Sequence, residues 1–349
     1  MLLVIVNLIL VFFDQTYSQQ CLDHQGNPVD WFALYKLPKI RDHPNKNVQN
    51  GIAYLFVTSD TVTKGWTLAN DTIMDENSIP GKTLSVIIGN EVEDIFWIFY
   101  NDQPPNQPYT ILQGHTKGAV VGSRDKGFWL VHSVPHFPVI NRQDGYVYPH
   151  TGTTYGQSLL CISLKPTDME NIGTQLMIND AKVYESTFQG TLADVFPQLK
   201  KAADMQRLSQ NENIVTIQSV DDVSFLSFAK SDSFDKDLYS QWVSDELKCT
   251  LFVETWLHDD RLPSACNETY PVHNINQIKW NTHNDQFSNY KDHSKWTVCA
   301  EENIPWICIG DINRASTQFK RGGGTVCLKN PNLWKMYFKM VAAVEPCPA

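Results

Sequence analysis

The chain has 349 residues, of which 42% are hydrophobic and 11% aromatic, and this composition excludes a disordered polypeptide. Its formal net charge of −10 at pH 7 argues against nucleic-acid binding at neutral pH, because phosphate contacts dominate such binding. Ten histidines weaken that argument in acid, since their protonation at about pH 5 brings the charge close to neutral. An ordinary acidic secreted protein is the alternative that charge alone leaves open.

The first stretch of the chain predicts a secretory signal peptide. Residues 2–13 form an apolar run that only Asn7 interrupts, and Thr16 and Ser18 supply small side chains at the positions that a signal peptidase reads. We expect cleavage after Ser18, which removes 1–18. The run is too short to span a bilayer, and no later segment approaches about 18 consecutive apolar residues. We therefore expect a soluble, secreted or lysosomal protein with no membrane anchor.

Several runs are rich in β-branched and aromatic residues and are bounded by turn formers, which predicts strands. They cover 51–58, 84–89, 94–100, 127–133, 158–164, 223–229 and 251–256. Apolar residues recur at helical spacing over 191–208 and 333–344, and Pro197 predicts a kink or a late start in the first of these helices. The Pro-rich segment 101–108 predicts an exposed loop. Strands mixed with helices indicate an α/β (mixed α+β) fold.

The cysteines and sequons are typical of a secreted glycoprotein. Eight cysteines that follow a signal peptide are expected to form disulfides. None of them forms a Cys-x-x-Cys pair, so we expect no zinc site. Sequons begin at Asn70 and Asn267, and each would place a glycan on the surface.

One short motif occurs twice. Gly114-His115-Thr116-Lys117-Gly118 lies in the first half of the chain, and Asp292-His293-Ser294-Lys295-Trp296 lies in the second. The two His-x-Lys motifs are separated by about half the mature length. This spacing suits two duplicated halves, 19–185 and 186–349, that contribute one motif each.

The residue types of this motif fit phosphodiester chemistry. In an extended segment, residues two apart face the same side, so each histidine and lysine can point into one cleft. One imidazole can attack phosphorus and a second, protonated imidazole can donate a proton to the leaving oxygen. Two ammonium groups can stabilise the charge that a metal ion stabilises elsewhere. The alternative is that both motifs are solvated surface residues, because a single His-x-Lys is common by chance.

Longer segments decide between these interpretations, because together they resemble the deoxyribonuclease II family, acid endonucleases related to the phospholipase D superfamily. The resemblance covers nearly the whole mature chain. It is carried by both motif segments and by Gly26-Asn27-Pro28-Val29-Asp30-Trp31-Phe32, Phe128-Trp129-Leu130-Val131-His132-Ser133-Val134-Pro135, Tyr155-Gly156-Gln157-Ser158, Ser227-Phe228-Ala229-Lys230, Cys308-Ile309-Gly310-Asp311-Ile312-Asn313-Arg314 and Arg321-Gly322-Gly323-Gly324-Thr325-Val326-Cys327.

The resemblance implies a fold, an activity and a set of site residues. The fold would be a phospholipase D-like pseudo-dimer of two sheet-and-helix halves. The activity would be hydrolysis of DNA to 3′-phosphate products in acid through a phosphohistidine, without metal or cofactor. The implied catalytic residues are His115, Lys117, His293, Lys295 and His132, of which His293 matches the histidine usually assigned as catalytic. The implied disulfides are Cys21–Cys161, Cys266–Cys347 and Cys308–Cys327, which leaves Cys249 and Cys299 as a fourth pair.

The chain also departs from the superfamily pattern. That pattern places an aspartate five residues after the motif lysine, where this chain has Gly122 and Ala300. We expect Asp311 or Asn313 to supply part of the missing orientation. Arg321, with the glycines after it, is either a phosphate-binding group or part of a tight turn.

Competing functions follow from these departures. A secreted relative that binds DNA but cuts it weakly is the main alternative to the nuclease. A phosphodiesterase acting on lipid headgroups is a third reading, which the lack of an evident lipid-binding amphipathic helix disfavours. Trp31, Trp129 and Trp296 would stack on bases or, more simply, fill the core. DNA is the expected partner, and a homodimer is a further expectation.

Overall fold

The computed structural model describes residues 19–88, 94–105, 107–141, 145–256, 258, 260–280 and 285–347. The expected signal peptide, 1–18, lies outside the described residues. Within these ranges, helices stay too short or too polar to cross a membrane.

Most strands belong to two large sheets. The first sheet holds eight strands in the described residues, β1 Trp31–Lys36, β2 Tyr54–Thr58, β3 Thr67–Leu68, β4 Phe96–Asn101, β5 Lys117–Gly122, β6 Gly127–His132, β9 Gln157–Leu164 and β10 Val183–Phe188. A small hairpin is formed by β7 Val139–Asn141 and β8 Gly145–Val147. The second sheet holds nine strands within the same described ranges, β11 Glu212–Gln218, β12 Ser224–Lys230, β13 Leu251–Glu254, β14 Val272–Lys279, β15 Gln286–Ser288, β16 Trp296–Cys299, β17 Trp306–Gly310, β18 Gly323–Lys329 and β19 Val341–Val344.

The central strands of the two sheets follow the same order. In the first sheet they run β1-β9-β6-β5-β4, and in the second they run β12-β18-β17-β16-β13. Every neighbouring pair in both series is antiparallel. The order along the chain also matches, because β1, β4, β5, β6 and β9 take the same sheet positions as β12, β13, β16, β17 and β18. Therefore β5 and β16, which follow the two His-x-Lys histidines, occupy equivalent positions.

A hydrophobic core joins the two sheets. Alternate residues of a strand face opposite sides, so Trp31 and Tyr35 of β1 enter the shared core, whereas Phe32 enters a second core on the other face of the first sheet. The shared core also takes side chains from the second sheet. Trp31, Trp129 and Trp296 are almost fully buried in it. These tryptophans pack against the core and are not available to bases.

The segment 84–89 was predicted as a strand, and this prediction is wrong because 84–88 belong to helix α2, Ile79–Ile88. Pro80 lies in the first turn, where its missing N–H costs nothing, and the Ser78 hydroxyl accepts a hydrogen bond from the Gly81 N–H at 3.2 Å. The β-branched run reflects burial of the helix on several sides. Buried helices and strands can both be rich in β-branched residues, so this pattern alone did not distinguish a helix from a strand.

The remaining predicted elements differ from the structure mainly at their ends. Strands β2, β4, β6, β9, β12 and β13 lie in the other predicted runs. Pro197 does separate two helices, α4 Leu192–Val195 and α5 Pro197–Ala203. The last helix, Pro331–Met340, ends before 344 because the chain continues as β19. The long helix Pro166–Ile178 and the short helices Lys46–Asn50 and Ser244–Leu247 were not predicted.

Four disulfides connect the described cysteines: Cys21–Cys161, Cys249–Cys299, Cys266–Cys347 and Cys308–Cys327. They comprise the three pairs that the resemblance implies and a fourth between the two remaining cysteines. The sequon asparagines Asn70 and Asn267 are both exposed.

Candidate active site

The two His-x-Lys motifs lie at equivalent places in the two sheets. Lys117 is the first residue of β5, and Lys295 immediately precedes β16. Both lysines are buried, at 2% and 1% exposure, so neither is a solvated surface side chain. His115 is 7% exposed, and His293 is partly buried. Because a lysine is rarely buried without a partner or a function, these burials favour the functional interpretation.

Each motif is held by the opposite half of the molecule. The His115 N–H donates to the Gly322 carbonyl at 2.8 Å, and the His293 N–H donates to the Gly156 carbonyl at 2.9 Å. Burial lowers the pKa of His115, and the positive charges of Lys117, Arg321, Lys295 and His293 lower it further. The charged groups of the second motif therefore act on the histidine of the first, which indicates that the two motifs lie close together.

The carbonyl contacts of His293 favour one tautomer. Its Nδ1 lies 3.0 Å from the Ser133 carbonyl oxygen and 3.3 Å from Gln157 Oε1, and these oxygens can only accept. Lys295 Nζ, a donor, also lies 3.2 Å from this Nδ1, but its shorter bond of 2.6 Å goes to the His293 carbonyl. The two carbonyl oxygens therefore favour a proton on Nδ1, which leaves the Nε2 lone pair free when the ring is neutral. Burial, followed by the charges of Lys295 and Lys117, holds the pKa of His293 well below its usual value. The neutral ring is thus favoured, with Nε2 available as a nucleophile.

His115 faces a buried carboxylate that sequence reasoning missed. Its Nε2 lies 3.9 Å from Asp102 Oδ2, while its Nδ1 is buried and has no partner among the described residues. Asp102 is fully buried although the segment 101–108 was predicted to be exposed, and that prediction is wrong for Asn101, Asp102 and Pro104. Asn101 lies opposite Lys117 in the β4–β5 pairing, which carries Asp102 to the site.

Asp102 links two cationic groups of the site. Its Oδ1 accepts a hydrogen bond from Lys117 Nζ, and its Oδ2 accepts one from Arg321 Nη2 at 3.2 Å. Arg321 is itself 7% exposed. Its Nε and Nη2 donate to the Gln113 carbonyl at 3.2 and 3.0 Å, and its Nη1 donates to the Tyr109 hydroxyl at 3.2 Å. These donors are already used within the protein, so Arg321 fits an orienting role better than the phosphate-binding role considered above.

The lysine of the second motif is surrounded by carboxyl groups. Burial lowers the pKa of Lys295, and nearby Lys117 lowers it further, while Asp292, Asp102 and Asp311 act in the opposite direction. Lys295 Nζ also donates to the His293 carbonyl at 2.6 Å. The net result is a lowered pKa, so Lys295 gives up its proton more readily than a free lysine while it lies buried beside His293.

His132 and Asn313, two further predicted site residues, are both buried. His132 is fully buried, its Nδ1 accepts from the Val134 N–H at 3.2 Å, and its Nε2 has no partner among the described residues. Burial and the charge of Lys117 lower the pKa of His132. Asn313 Oδ1 is likewise buried and unpartnered in the described part of the chain. The charge of Lys117 thus acts on His132, but among the described residues no hydrogen bond joins this imidazole to either motif.

Comparison with known proteins identifies the family. The family model described as deoxyribonuclease II matches residues 20–347. The chain belongs to the deoxyribonuclease II family. It is therefore a hydrolase of the deoxyribonuclease II type.

Relatives match this deoxyribonuclease II family member over most of both chains. Deoxyribonuclease-2-alpha of Sus scrofa is 36% identical over 334 residues, which cover 94% of this chain and 90% of the relative. Deoxyribonuclease-2-beta of Homo sapiens is 36% identical, with 94% and 91% covered. Plancitoxin-1 of Acanthaster planci is 35% identical, with 94% and 92% covered.

Metal-like spacing occurs at one place in the described residues of this family member. Cys266, His273 and Cys347 have potential ligand atoms close together, but both cysteines form a disulfide with each other. A disulfide sulfur is not a thiolate, so this group does not fit a metal site. It also lies outside the two-motif centre.

Asp311 of the deoxyribonuclease II site is expected to make stability depend on pH. Burial raises its pKa from 3.8 to about 7, against the opposing effects of the Thr116 hydrogen bond and Lys117. The folded state therefore binds the Asp311 proton more tightly than the unfolded state does. The stability that this proton contributes is fully present below pH 3.8 and is lost as pH rises through about 7. Asp311→Asn stays neutral. It should match the wild-type free energy of unfolding at pH 4 and exceed it by up to about 4 kcal/mol at pH 8.

Urea denaturation at both pH values measures this difference. Asp125→Asn, at an exposed position, is the matched control and should show no such trend. An Asp311→Asn effect of equal size at both pH values would contradict the assignment.

Proposed function

We propose that this protein is an endonuclease that hydrolyses DNA in acid, without a metal ion, through a phosphohistidine intermediate. The observation that carries the proposal is the meeting of His115 and Lys117 with His293 and Lys295 in one buried, positively charged centre. Relatives named deoxyribonuclease-2 support DNA as the substrate.

In the first step, His293 Nε2 attacks the phosphorus of a DNA phosphodiester. The bond to the 5′ oxygen breaks, and His115 donates a proton to that oxygen, which leaves as a 5′-hydroxyl. The phosphorus stays bonded to His293 Nε2 and to the 3′ oxygen of the other strand segment. Lys117 and Lys295 stabilise the added negative charge on the phosphoryl oxygens in the transition state.

In the second step, water replaces the histidine. The neutral His115 takes a proton from the attacking water, the P–N bond breaks, and the electron pair returns to His293 Nε2. The products are a 3′-phosphate and the starting enzyme. No oxidant, reductant or further reactant is needed.

The environment of the two histidines explains an acid requirement. The pKa of His115 lies below its usual 6.5, because of burial and of the nearby cations, so its proton is present only in acid. The pKa of His293 is lowered in the same direction, so the difference in protonation that the mechanism needs comes from other charges. Asp102 Oδ2 lies 3.9 Å from His115 Nε2, and the bound DNA phosphate adds a second negative charge; both favour protonation of His115. Acid therefore supplies the proton that His115 donates.

The proposal has three further parts. The fold is a phospholipase D-like pseudo-dimer, the protein enters the secretory pathway, and one chain forms the complete active site. The matched order of the central strands supports two related halves, with the first sheet extending to Phe188 in β10. The exposed sequons at Asn70 and Asn267 suit a secreted or lysosomal glycoprotein. Both motifs come from one chain, so catalysis does not require the homodimer.

Supercoiled plasmid DNA tests the proposal. The mature protein should nick it at pH 5 in EDTA, lose this activity at pH 7.5, and leave ends that a phosphatase must treat before a polymerase can extend them. His293→Ala, purified in parallel, controls for contaminating nucleases. A requirement for Mg²⁺, or products with 3′-hydroxyl ends, would contradict the mechanism. Binding without nicking would support the alternative, a DNA-binding relative that cuts weakly.

A further inference from the structure

An aromatic cluster lies beside His293. It consists of Tyr155, Trp256, His258 and Tyr290. The Trp256 ring stacks on His258 with centroids 3.7 Å apart and meets His293 edge-on at 5.2 Å. Tyr155 contacts Trp256 at 4.6 Å, and His258 contacts Tyr290 at 5.0 Å. The mechanism above uses none of these four side chains.

The aromatic cluster is open to solvent. Tyr290 is 51% exposed, His258 is exposed, and Tyr155 and Trp256 are partly exposed. By contrast, Trp31 and Trp296 are almost fully buried in the shared core. A partly exposed tryptophan in edge contact with the nucleophile is therefore placed to meet a ligand and not only to fill space.

A basic groove adjoins the cluster through Tyr155. This groove is a cavity of about 350 Å³ lined by Lys39, Ile40, Arg41, Asp42, Thr154, Tyr155 and Lys291. Lys39, Arg41 and Lys291 are exposed, and in the described parts of the chain they have no carboxylate within ion-pair distance. The Lys291 carbonyl accepts from the Gly156 N–H at 2.8 Å, and the Gly156 carbonyl in turn holds His293. The groove and the nucleophile thus share one rigid backbone connection.

We propose that the aromatic cluster and the basic groove form a binding subsite for the DNA strand next to the scissile phosphate. One unpaired base stacks on the face of Trp256 that His258 does not cover, and Tyr155 stands nearly perpendicular to that ring. The following phosphates bind Lys39, Arg41 and Lys291. This inference rests on the proposed function, because it takes the same strand to be the substrate. Exposed π faces and unpaired cations together are the features that bind single-stranded nucleic acid, and stacking does not select a particular base.

Binding to an uncut complex tests the subsite. His115→Ala serves as the background, so that cleavage does not interfere. Fluorescence anisotropy at pH 5 gives the Kd for a single-stranded twelve-thymidine DNA and for an abasic twelve-residue strand of equal charge. Trp256→Ala should raise the Kd for the thymidine strand about 10-fold and leave the abasic strand nearly unchanged. A purely structural role of Trp256 would weaken both strands equally, and that result would overturn the stacking role.

Charge reversal tests the groove independently of the tryptophan. Lys39→Glu with Arg41→Glu should weaken both strands and reduce the slope of log Kd against log salt by about 1.4. Lys279→Glu with Lys339→Glu makes the same charge change at a different cavity and should leave the slope unchanged. Equal effects of the two double variants would overturn the groove assignment.

The outcomes separate this inference from the proposed function. If the wild-type protein binds the thymidine strand through Trp256 but never nicks plasmid, the proposed function is contradicted and the subsite is supported. If the wild-type protein nicks plasmid but its Kd values do not respond to substitutions at Trp256 or in the groove, the subsite is contradicted and the proposed function is supported. Circular dichroism checks each variant for folding, and if Trp256→Ala is misfolded, Trp256→Leu and the charge reversals decide.

Discussion

Replacing His293 by alanine is expected to lower kcat on plasmid DNA at pH 5 by about 10³–10⁴-fold. The substitution removes an imidazole whose Nε2 is left free because the Ser133 carbonyl oxygen lies 3.0 Å from its Nδ1. Without Nε2 no P–N bond forms. His115→Ala should cause a loss of similar size, because the 5′ oxygen is a poor leaving group unless it receives a proton.

A change of leaving group distinguishes the two histidines. Thymidine 3′-(p-nitrophenyl) phosphate places p-nitrophenolate where DNA has the 5′ oxygen, and this anion leaves without a proton. His115→Ala should therefore regain most of the first step with this substrate, seen as a burst of p-nitrophenolate, while His293→Ala should not. The burst should leave a phosphorylated His293, since His115 is also needed to activate water in the second step.

Mass spectrometry of the quenched His115→Ala protein measures the adduct. His150→Ala, at an exposed histidine outside the site, is the matched control and should keep wild-type rates. A p-nitrophenolate burst from His293→Ala alone would show that the two roles are reversed. A burst from both variants would show that neither histidine is the nucleophile.

The positions of the two motifs were easier to predict than their surroundings. The repeated His-x-Lys at half-chain spacing predicted two equivalent sites, and in the structure the motifs stand before β5 and β16, which hold matched positions in the two sheets. Strand runs such as 127–133 were also visible in the sequence, since burial on both faces demands a continuous apolar pattern.

What the sequence hid depends on long-range contacts. Asp102 follows β4 in a segment whose prolines and amides are typical of solvent-exposed loops, yet the pairing of Asn101 with Lys117 buries it. No local pattern encodes that contact. The one available signal was an aspartate directly after a strand predicted to end near 100. Trp256 and Tyr155 were also missed, because an exposed aromatic residue and a buried one look alike in a sequence.

Asp102→Ala is expected to destabilise the fold strongly while it leaves the reacting atoms in place. Asp102 is fully buried and accepts hydrogen bonds from Lys117 and Arg321. Removing the carboxylate leaves two buried cations without compensation, which costs about 3–5 kcal/mol. It also removes the negative charge nearest to His115 Nε2, so the pH above which activity falls should move further into acid.

Two readouts distinguish a positioning residue from a purely structural one. Urea denaturation at pH 5 measures the free energy of unfolding, and the pH profile of kcat/KM measures the effect on His115. Adding Arg321→Gln to Asp102→Ala should restore part of the stability, because one uncompensated cation is then removed and the two effects are not additive. Asp222→Ala breaks the exposed pair with Lys165 and should change the free energy by no more than about 1 kcal/mol. If Asp102→Ala costs no more than this control, the buried network does not hold the first motif in place.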